Sequence, residues 1–360
     1  MLSQLSSITG RCVMGFYLGK RRCASVILLK ERKKGRFRAR VIDYTGKILK
    51  EEWLRSGDEF ILPMPKKEGM TFQGWSTTEE IVNNKITIQN HDVIVGAVYV
   101  PESGLNEFDI EITKSMVADI ETNGLTINFY MTGTKDWGDG SVEDDLQTHT
   151  YYSYGKFTIK CNGRPSLPES TGILGQTAST RDELLIEARL ATWTSIASFT
   201  FTYTNSLKAV SVQEGCTYIS GTACSQAYAL RCFIFPNSAT AVYGYIFNSN
   251  TSLSDIILSS SINTIDFGAF YACQGVQKIR VPKGLVSIGG AAFSTCRNLE
   301  VADFSLLESV PVLNGTSLVS GCLKRLKIIV PDGLYDKFIS ATNWSAYKNY
   351  IYKASEVGAW

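Results

Sequence analysis

Hydrophobic residues recur along the second half of this chain with a period of 23 residues. The period is visible in two series, Phe201, Cys224, Phe247, Phe270 and Phe293, and Leu207, Leu230, Leu253, Val276 and Leu299. A period of this length is typical of stacked supersecondary units, none of which can bury its apolar face alone. Such stacks usually provide an extended binding surface rather than a catalytic cleft.

Each repeat contains a short segment that alternates between apolar and polar residues. With Cys224 as position one, apolar residues also occupy positions 7, 10, 12 and 19. The alternation at positions 10 and 12 predicts a strand with one buried face, and Pro236 and Pro282 directly after it remove a backbone donor and end it. We therefore expect rungs of one strand, a turn and a return arc. A divergent rung should precede them, because Leu184 lies one period before Leu207.

The regular spacing slips after Ser305. Val330-Pro331 still has the pattern of a strand end. Residues 334–341 then have the pattern of a short amphipathic helix. Together with the aromatic residues of 344–350, this helix predicts a cap over the open end of the apolar core.

The repeat resembles a known family through several residue types at fixed offsets. The string FYACQGVQKIRVPKGLVSIGGAAFSTCRNL, residues 270–299, combines a phenylalanine, a cysteine, a leucine, a strand that ends in proline and an isoleucine-glycine turn. It resembles the BspA-type leucine-rich repeat, and the resemblance covers about residues 201–333. That family is found mainly in surface-exposed proteins of bacteria and their phages, with binding roles. The resemblance implies a class of function and names no ligand.

Residues 106–163 form a second unit, with strand-like segments around a tight turn. Trp137-Gly138-Asp139-Gly140 follows a strand, and Gly155 leads into a closing strand that alternates through Phe157 and Ile159. The WGDG, HTY and G-x-F-T-I elements resemble a polycystic-kidney-disease (PKD) domain, which is a small immunoglobulin-like sandwich. The resemblance implies a spacer or a module that contacts carbohydrate or protein.

Residues 23–101 form a third unit. The segment ARVIDYTGKILKEEW reads as a hairpin that turns at Thr45-Gly46, and VIVGAVYVP closes the unit as a strand. Residues 68–75, EGMTFQGW, resemble the Listeria-Bacteroides repeat, a β-grasp module of bacterial surface proteins, with Met70 in place of the usual tyrosine.

The predicted fold class is mostly β and multi-domain. The expected parts are an amino-terminal docking segment (1–22), a β-grasp-like module (23–101), a PKD or immunoglobulin-like domain (106–163), a leucine-rich-repeat solenoid (164–333) and a carboxy-terminal helical cap (334–360). The chain has 360 residues, of which 44% are hydrophobic and 19% are charged, so we expect an ordered protein.

Charge is distributed unevenly along the chain. Residues 1–50 hold 13 Lys or Arg against 2 Asp or Glu, a net charge of +11, and the remainder holds 23 against 32, a net charge of −9. The basic residues proposed for docking onto a larger acidic assembly are Lys30, Arg32, Lys33, Lys34, Arg36, Arg38 and Arg40. The alternative is a solvated hairpin with its charges on the outer face. Phe37 is the only aromatic residue among these basic residues. Because bases stack on aromatic side chains, nucleic acid is not an expected partner.

The sequence shows no export signal and no span for membrane insertion. The apolar run 12–18 is short and has its charges after it, the reverse of a signal peptide, and no run is long enough to cross a bilayer. Surface modules without a leader fit a phage virion protein, which assembles in the host cytoplasm and leaves by lysis. A bacterial cell-surface adhesin whose leader is missing here is the alternative.

Residue types argue against an enzyme, a cofactor or a metal site. His91 and His149 are the only histidines, and GxSxG, HExxH, P-loop and GxGxxG motifs are absent. The acidic residues of 136–145 lack the alternating ligands of an EF-hand, so a solvated turn is expected. The nine cysteines form no CxxC pair; Cys273 and Cys296 are expected as buried thiols, with a disulfide between them left open.

The expected function is a non-enzymatic virion protein of tail, fibre or head-decoration type, present in multiple copies. Its partners would be other virion proteins and a host-surface glycan or protein; an adhesin and a glycan-active enzyme are the alternatives. The proposed binding face consists of outward residues of the repeat strands: Ile234, Ile257, Lys278, Arg280 and Asp303, beside Cys232. A mixed patch of isoleucines and basic residues is typical of interaction surfaces, unless neighbouring modules cover the isoleucines.

Overall fold

The computed structural model describes residues 35–167, 171–175, 182–322 and 325–357. Residues 35–101, called here the amino-terminal module, contain β1 (Phe37–Ile42), β2 (Ile48–Leu54), β3 (Glu59–Ile61), β4 (Met70–Ser76), β5 (Lys85–Thr87) and β6 (Val93–Pro101). Four of these strands form one sheet in the order β2-β1-β6-β4, in which β1 and β6 are parallel. The predicted hairpin is present as the antiparallel pair β1–β2, and Gly46 in its turn has a φ of 82°, which glycine adopts without strain.

Residues 106–163, called here the middle unit, surround a core of Phe108, Phe129, Trp137 and Tyr151. The elements are β7 (Asn106–Ile112), α1 (Ile120–Asn123), β8 (Leu125–Asn128), β9 (Thr134–Asp136), β10 (Val142–Asp144), β11 (Thr148–Tyr151) and β12 (Gly155–Cys161). Strands β8 and β11 pair separately from the sheet that contains the other four. The β-grasp and immunoglobulin-like assignments of these two units stay predictions.

The sheet of the middle unit continues into the repeat region. Strand β13 (Leu185–Leu190) pairs antiparallel with β7 and parallel with β15 (Ala209–Val212). The result is one six-stranded sheet in the order β10-β9-β12-β7-β13-β15. A single apolar core accordingly extends from Phe108 to Ile351. The middle unit therefore packs against the first rung and covers that end of the solenoid core.

The repeat region is a β-solenoid with two short strands in each rung. The first strands are β13, β15, β17 (Cys232–Ile234), β19 (Asp255–Ile257), β21 (Lys278–Arg280), β23 (Val301–Asp303) and β25 (Lys327–Val330). The second strands are β14 (Ser195–Ile196), β16 (Tyr218–Ile219), β18 (Ala241–Val242), β20 (Thr264–Ile265), β22 (Ser287–Gly289) and β24 (Val312–Asn314). The prediction of a single strand followed by a turn and a return arc is therefore wrong, because it omits the second strand of each rung. The second strands have only two or three residues, which is too short for an alternation of apolar and polar residues to be visible in the sequence.

Apolar positions of the repeat lie in the solenoid core as predicted. Phe247, Phe270 and Phe293 are fully buried and stack on one another, with centroid distances of 5.7 and 5.6 Å. Turns between the strands use left-handed backbone at two equivalent series of positions, one of Phe199, Thr222, Tyr245 and Gly268 and the other of Tyr203, Gln226, Ser249, Ala272 and Thr295. The predicted divergent first rung is also present, because β13 pairs in register with β15.

The carboxy-terminal cap follows the prediction for residues 334–341. It consists of a 3-10 helix (Asp332–Leu334), α2 (Tyr335–Ser340), a second 3-10 helix (Trp344–Tyr347), β26 (Ile351–Lys353) and α3 (Ala354–Val357). Phe338, Trp344 and Tyr347 are buried against the end of the core, and the Trp344 indole donates a hydrogen bond to the carbonyl of Pro311 at 2.8 Å. In the part of the chain that the structure describes, no helix has the length and apolar character needed to span a membrane.

Candidate functional site

Most of the residues predicted to form an exposed binding patch are buried in the folded chain. Ile234 and Ile257 expose only 4% and 1% of their surface, and Asp303 is fully buried. The Arg280 side chain is also largely enclosed, whereas Lys278 leaves 43% of its side chain exposed. The exposed patch was therefore a wrong prediction for all of these residues except Lys278. The alternative, that a neighbouring module covers the isoleucines, is correct for Ile234 and Ile257.

The amino-terminal module makes a polar contact with each of five successive rungs. The contacts, in order from β13 to β21, are Tyr44 Oη to Glu187 Oε1 (2.5 Å), Ser211 Oγ to Tyr99 O (2.8 Å), Ser76 Oγ to Phe235 O (2.6 Å), Arg40 Nη2 to Asp255 Oδ1 (3.3 Å) and Arg280 Nη1 to Glu79 Oε1 (2.9 Å). The module therefore lies along the column of first strands rather than against one end of it.

Apolar packing explains why the outward isoleucines are covered. The side chains of the first strands form a second core with the module: Ile42, Tyr44, Met70, Ala97, Val98, Tyr99, Ala209, Cys232, Ile234 and Ile257. Burial of apolar surface is worth about 25 cal/mol per Å², so two apolar faces on one chain stabilise each other. Ile257 is buried in this second core, whereas Ile256, at a position expected in the solenoid core, is half-buried and packs against that core.

Gly96 on β6 allows the closest approach in this second core. A Cβ placed on Gly96 would lie 2.6 Å from Cγ2 of Ile234. We expect Gly96→Ala to destabilise the protein by about 1–3 kcal/mol through overpacking and to cost much less in an Ile234→Ala background, because the obstructing atoms are then gone. Urea unfolding of both variants measures this coupling.

Gly284→Ala is the matched control, because a Cβ there meets nothing within 4 Å. It should change stability by less than about 0.5 kcal/mol. Equal costs for Gly96→Ala with and without Ile234 would contradict the proposed packing.

A crevice of about 400 Å³ remains between the module and strands β19 and β21. Its lining is charged and includes Arg38, Arg40, Asp92, Asp255, Lys278 and Arg280. The crevice thus brings together residues of the predicted docking set and residues of the predicted binding set. Most of these charges are engaged within the chain: Lys278 Nζ lies 3.6 Å from Asp92 Oδ2, and Arg40 pairs with Asp255.

Arg280 lies at the centre of a buried charge cluster beside the crevice. Its Nε is 2.5 Å from Asp303 Oδ2, and its Nη1 is 2.9 Å from Glu79 Oε1. His91 Nε2 lies 3.3 Å from the other oxygen of Glu79. Burial by itself would raise the pKa of Glu79, but the hydrogen bond with His91 and the charge of Arg280 outweigh it and lower this pKa from 4.5 to about 2.

Glu79 should make the module contact sensitive to acid. Because its pKa is lower in the folded protein than in the unfolded chain, its contribution to stability is complete above about pH 4.5 and is lost as the pH falls toward about 2. We expect the stability difference between the wild type and Glu79→Gln to shrink across this interval, as measured by urea unfolding at a series of pH values. A difference that is independent of pH would contradict the assignment.

Three of the seven predicted docking residues belong to the described chain, and all three make internal contacts. Arg36 donates to the carbonyl of Trp53 at 3.2 Å, Arg38 pairs with Glu51 at 2.6 Å, and Arg40 pairs with Asp255 at 3.3 Å. The remaining four, Lys30, Arg32, Lys33 and Lys34, lie outside the described residues. A docking role for this set stays a prediction.

A second crevice, of about 500 Å³, lies where the module, the middle unit and the first rung meet. Arg189 is one of the charged residues that line it, and it contacts Glu107 at 3.0 Å, Asp109 at 2.7 Å and Glu187 at 2.8 Å. Burial opposes the charge of Arg189, but hydrogen bonds to Asp109 and Glu187 raise its pKa. The pairs with Glu107 and Asp109 join the middle unit to the first rung, and Tyr44 of the amino-terminal module contacts Glu187 beside them.

Acidic residues of the turn 136–145 accept hydrogen bonds from nearby backbone and side chains. Asp139 lies 2.7 Å from His149 Nε2, and Asp136 accepts from the backbone of Gly138 at 2.9 Å. The His149 ring also stacks on Trp137, with a centroid distance of 4.7 Å. Among the described residues, no cluster of three or more His, Cys, Asp or Glu side chains is arranged to hold a metal ion.

Cys273 and Cys296 are separate buried thiols. Each donates to the carbonyl of a phenylalanine in the preceding rung, Cys273 to Phe247 and Cys296 to Phe270, both at 3.0 Å. Burial raises the pKa of both thiols above the usual range. They therefore pack as small core residues, as the sequence predicts.

A group of exposed aromatic side chains lies on or next to the second strands and is called here the aromatic edge. It consists of Tyr218, Tyr243, Tyr245, Phe267 and Tyr271. Ring centroids are 4.5 Å apart for Tyr218 and Tyr243, 5.8 Å for Tyr245 and Phe267, and 6.5 Å for Tyr245 and Tyr271. Exposure is 42% for Tyr218, 40% for Tyr245, 50% for Phe267 and 37% for Tyr271.

Sequence reasoning missed this edge because it considered only the outward positions of the first strands. The signal was nevertheless present, since aromatic residues stand at positions that the 23-residue pattern does not require to be apolar. Such residues have no role in the solenoid core, and an interaction surface is the usual explanation for several of them together.

Comparison with known proteins identifies the repeat. A family model described as "BspA type Leucine rich repeat region" matches residues 186–309 in six copies. This interval runs from the second residue of β13 to beyond β23 and therefore includes most of the solenoid. No curated protein matches the chain.

Proposed function

We propose that this chain is a non-enzymatic surface adhesin whose solenoid is the recognition scaffold. The observation that supports the proposal is a BspA-type repeat solenoid with its first-strand side covered by the chain's own amino-terminal module and its aromatic edge left open. Coverage over five rungs holds the repeat stack in one shape. A rigid, extended surface with exposed aromatic groups suits binding, because little conformational entropy is lost when a partner docks.

Surface binding can be tested with the full chain and washed cell envelopes from the source culture. We expect the labelled protein to sediment with the envelopes in a saturable manner, and its peptides to be enriched in the envelope fraction by mass spectrometry. No saturable binding, together with peptides found only in the soluble fraction, would refute the proposal.

A virion component of tail, fibre or head-decoration type is the second candidate. The observation that favours it is the division of charge between a basic first 50 residues and an acidic remainder, since a basic segment can dock onto an acidic assembly. The same mass-spectrometry experiment includes density-purified particles. Peptides at stoichiometric abundance in particles would favour the virion role over the adhesin role.

A further inference from the structure

The aromatic edge holds most of the exposed aromatic surface of the described chain. The large aromatic side chains with high exposure are Tyr152, Tyr218, Tyr245, Phe267 and Tyr271, and all except Tyr152 lie on this edge. Clustered exposed rings are unfavourable in water unless a partner covers them. The clustering therefore indicates a binding surface rather than scattered surface residues.

Tyr245 contacts two of these rings, Phe267 and Tyr271, in spite of its own backbone conformation. Its φ is +59°, and the equivalent residues of the neighbouring rungs are Thr222 at +64° and Gly268 at +67°. A side chain in this conformation costs about 1–2 kcal/mol relative to glycine. The ring also needs Gly268 beside it, because a Cβ there would lie 2.6 Å from Cε1 of Tyr245. The turn thus accommodates a ring that the solenoid core does not use.

Charged residues are sparse in the segments that carry these rings. Asp266 is the only charged residue in segments 215–229, 238–253, 261–276 and 284–296, in a chain of which 19% is charged. Nucleic acids and anionic membranes are bound through clusters of Lys and Arg, which these segments lack. Hydroxyl and amide side chains are frequent in these segments instead, for example Asn248, Ser249 and Thr264. The ligand that fits is uncharged, rich in hydroxyl groups and flat enough to lie on aromatic rings.

We propose that the aromatic edge binds a neutral glycan chain, with Tyr245 as the central stacking residue. A sugar ring offers C–H groups to an aromatic face and hydroxyl groups to neighbouring polar side chains, and tyrosine presents both an apolar ring and a polar tip. Parallel strands in adjacent rungs are about 4.8 Å apart, which is close to the length of one sugar in an extended chain. Rings on successive rungs therefore contact successive sugars, and affinity should rise with oligosaccharide length.

This inference rests on the proposed binding function and specifies its ligand. The direct test is affinity electrophoresis of the full chain in gels that contain mannan, xylan, dextran or β-1,3-glucan, with anionic alginate as the charged comparison. We expect retardation by at least one neutral polysaccharide and none by alginate. Retardation by no neutral polysaccharide, or by alginate alone, would overturn the proposal.

Variants assign binding to the edge. Tyr245→Gly removes the ring at a position whose backbone suits glycine, so the fold should be unaffected while affinity falls at least about tenfold, as for a buried aromatic hot spot. Tyr245→Phe should retain most of the affinity, because the stacking face remains. Tyr152→Ala removes an exposed ring from the middle unit and should leave binding unchanged. Equal affinities of Tyr245→Gly and the wild type would place any glycan site elsewhere and overturn the assignment.

Treatment of the envelopes separates failure of this inference from failure of the proposed function. Periodate destroys sugar diols, whereas a protease removes surface proteins. Binding that is lost after periodate, kept after protease and weakened by Tyr245→Gly supports a glycan ligand. Binding that is lost only after protease and is insensitive to Tyr245→Gly overturns the glycan inference but leaves the adhesin proposal standing. Absence of envelope binding refutes the adhesin proposal, and the polysaccharide gels then decide the glycan inference alone.

Discussion

Phe270→Ala should destabilise the solenoid by about 3–5 kcal/mol, the usual cost of truncating a buried phenylalanine. Phe270 is fully buried, and its ring stacks between Phe247 and Phe293 with interplanar angles of 14° and 16°. Truncation removes contacts to both neighbouring rungs and opens a cavity in a core that is shared along the stack. Chemical unfolding followed by far-ultraviolet circular dichroism measures the loss.

Phe267→Ala is the control, because Phe267 lies three residues earlier in the same rung and is half exposed. It should change stability by no more than about 0.5 kcal/mol, while it weakens glycan binding. Similar losses for the two variants would mean that the phenylalanine stack does not form the shared core.

Arg280→Ala should also cost about 3–5 kcal/mol, because the change leaves two buried carboxylates without their cation. Asp303 is fully buried, Glu79 nearly so, and both lie within 2.9 Å of the Arg280 guanidinium. Part of the loss should return when Glu79→Gln and Asp303→Asn are added, since neutral amides do not need a counter-charge. Urea unfolding measures stability, and limited proteolysis reports whether the amino-terminal module is released.

Arg325→Ala is the matched control for Arg280. Arg325 pairs with Glu300 at 2.6 Å but is 72% exposed, so its loss should cost less than about 1 kcal/mol. If Arg280→Ala were as mild as Arg325→Ala, the buried cluster would not hold the module in place.

The solenoid was predictable because its signal is local and repeated. Positions such as Leu230 and Leu253 are one period apart and fully buried. Every rung repeats the same apolar positions, so the period is still recognisable when one rung carries a different residue type at one of them. The cap was predictable for a similar reason, since an amphipathic helix and three aromatic residues follow the point where the period slips.

The covering of Ile234 and Ile257 was not predictable from periodicity. The contacts that cover this face join residues far apart in the chain, as in the pairs Arg40–Asp255 and Arg280–Glu79. A local pattern shows only that a side chain points away from the solenoid core, and it does not show whether water or another module lies beyond. Exposure depends on how the whole chain folds. For this reason, isoleucines that were predicted to lie in an exposed binding patch are instead buried in the second core.

The aromatic edge was partly accessible from sequence. Its rings are visible as residues outside the repeat pattern, but their convergence depends on the second strands, which bring Tyr218 and Tyr243 from neighbouring rungs to 4.5 Å. Those strands have only two or three residues and leave no alternation to detect.

The polar contacts from β13 to β21 have a consequence for how this repeat array can change in length. Duplication or deletion of a 23-residue unit is the ordinary way in which solenoids grow or shrink. Within the span from Glu187 to Arg280, one additional rung would shift every later partner by about 4.8 Å and separate Glu79 from Arg280. The contacts with the amino-terminal module therefore constrain the number of rungs in the covered part of the solenoid. We therefore expect variation in length only in the rungs that follow β21.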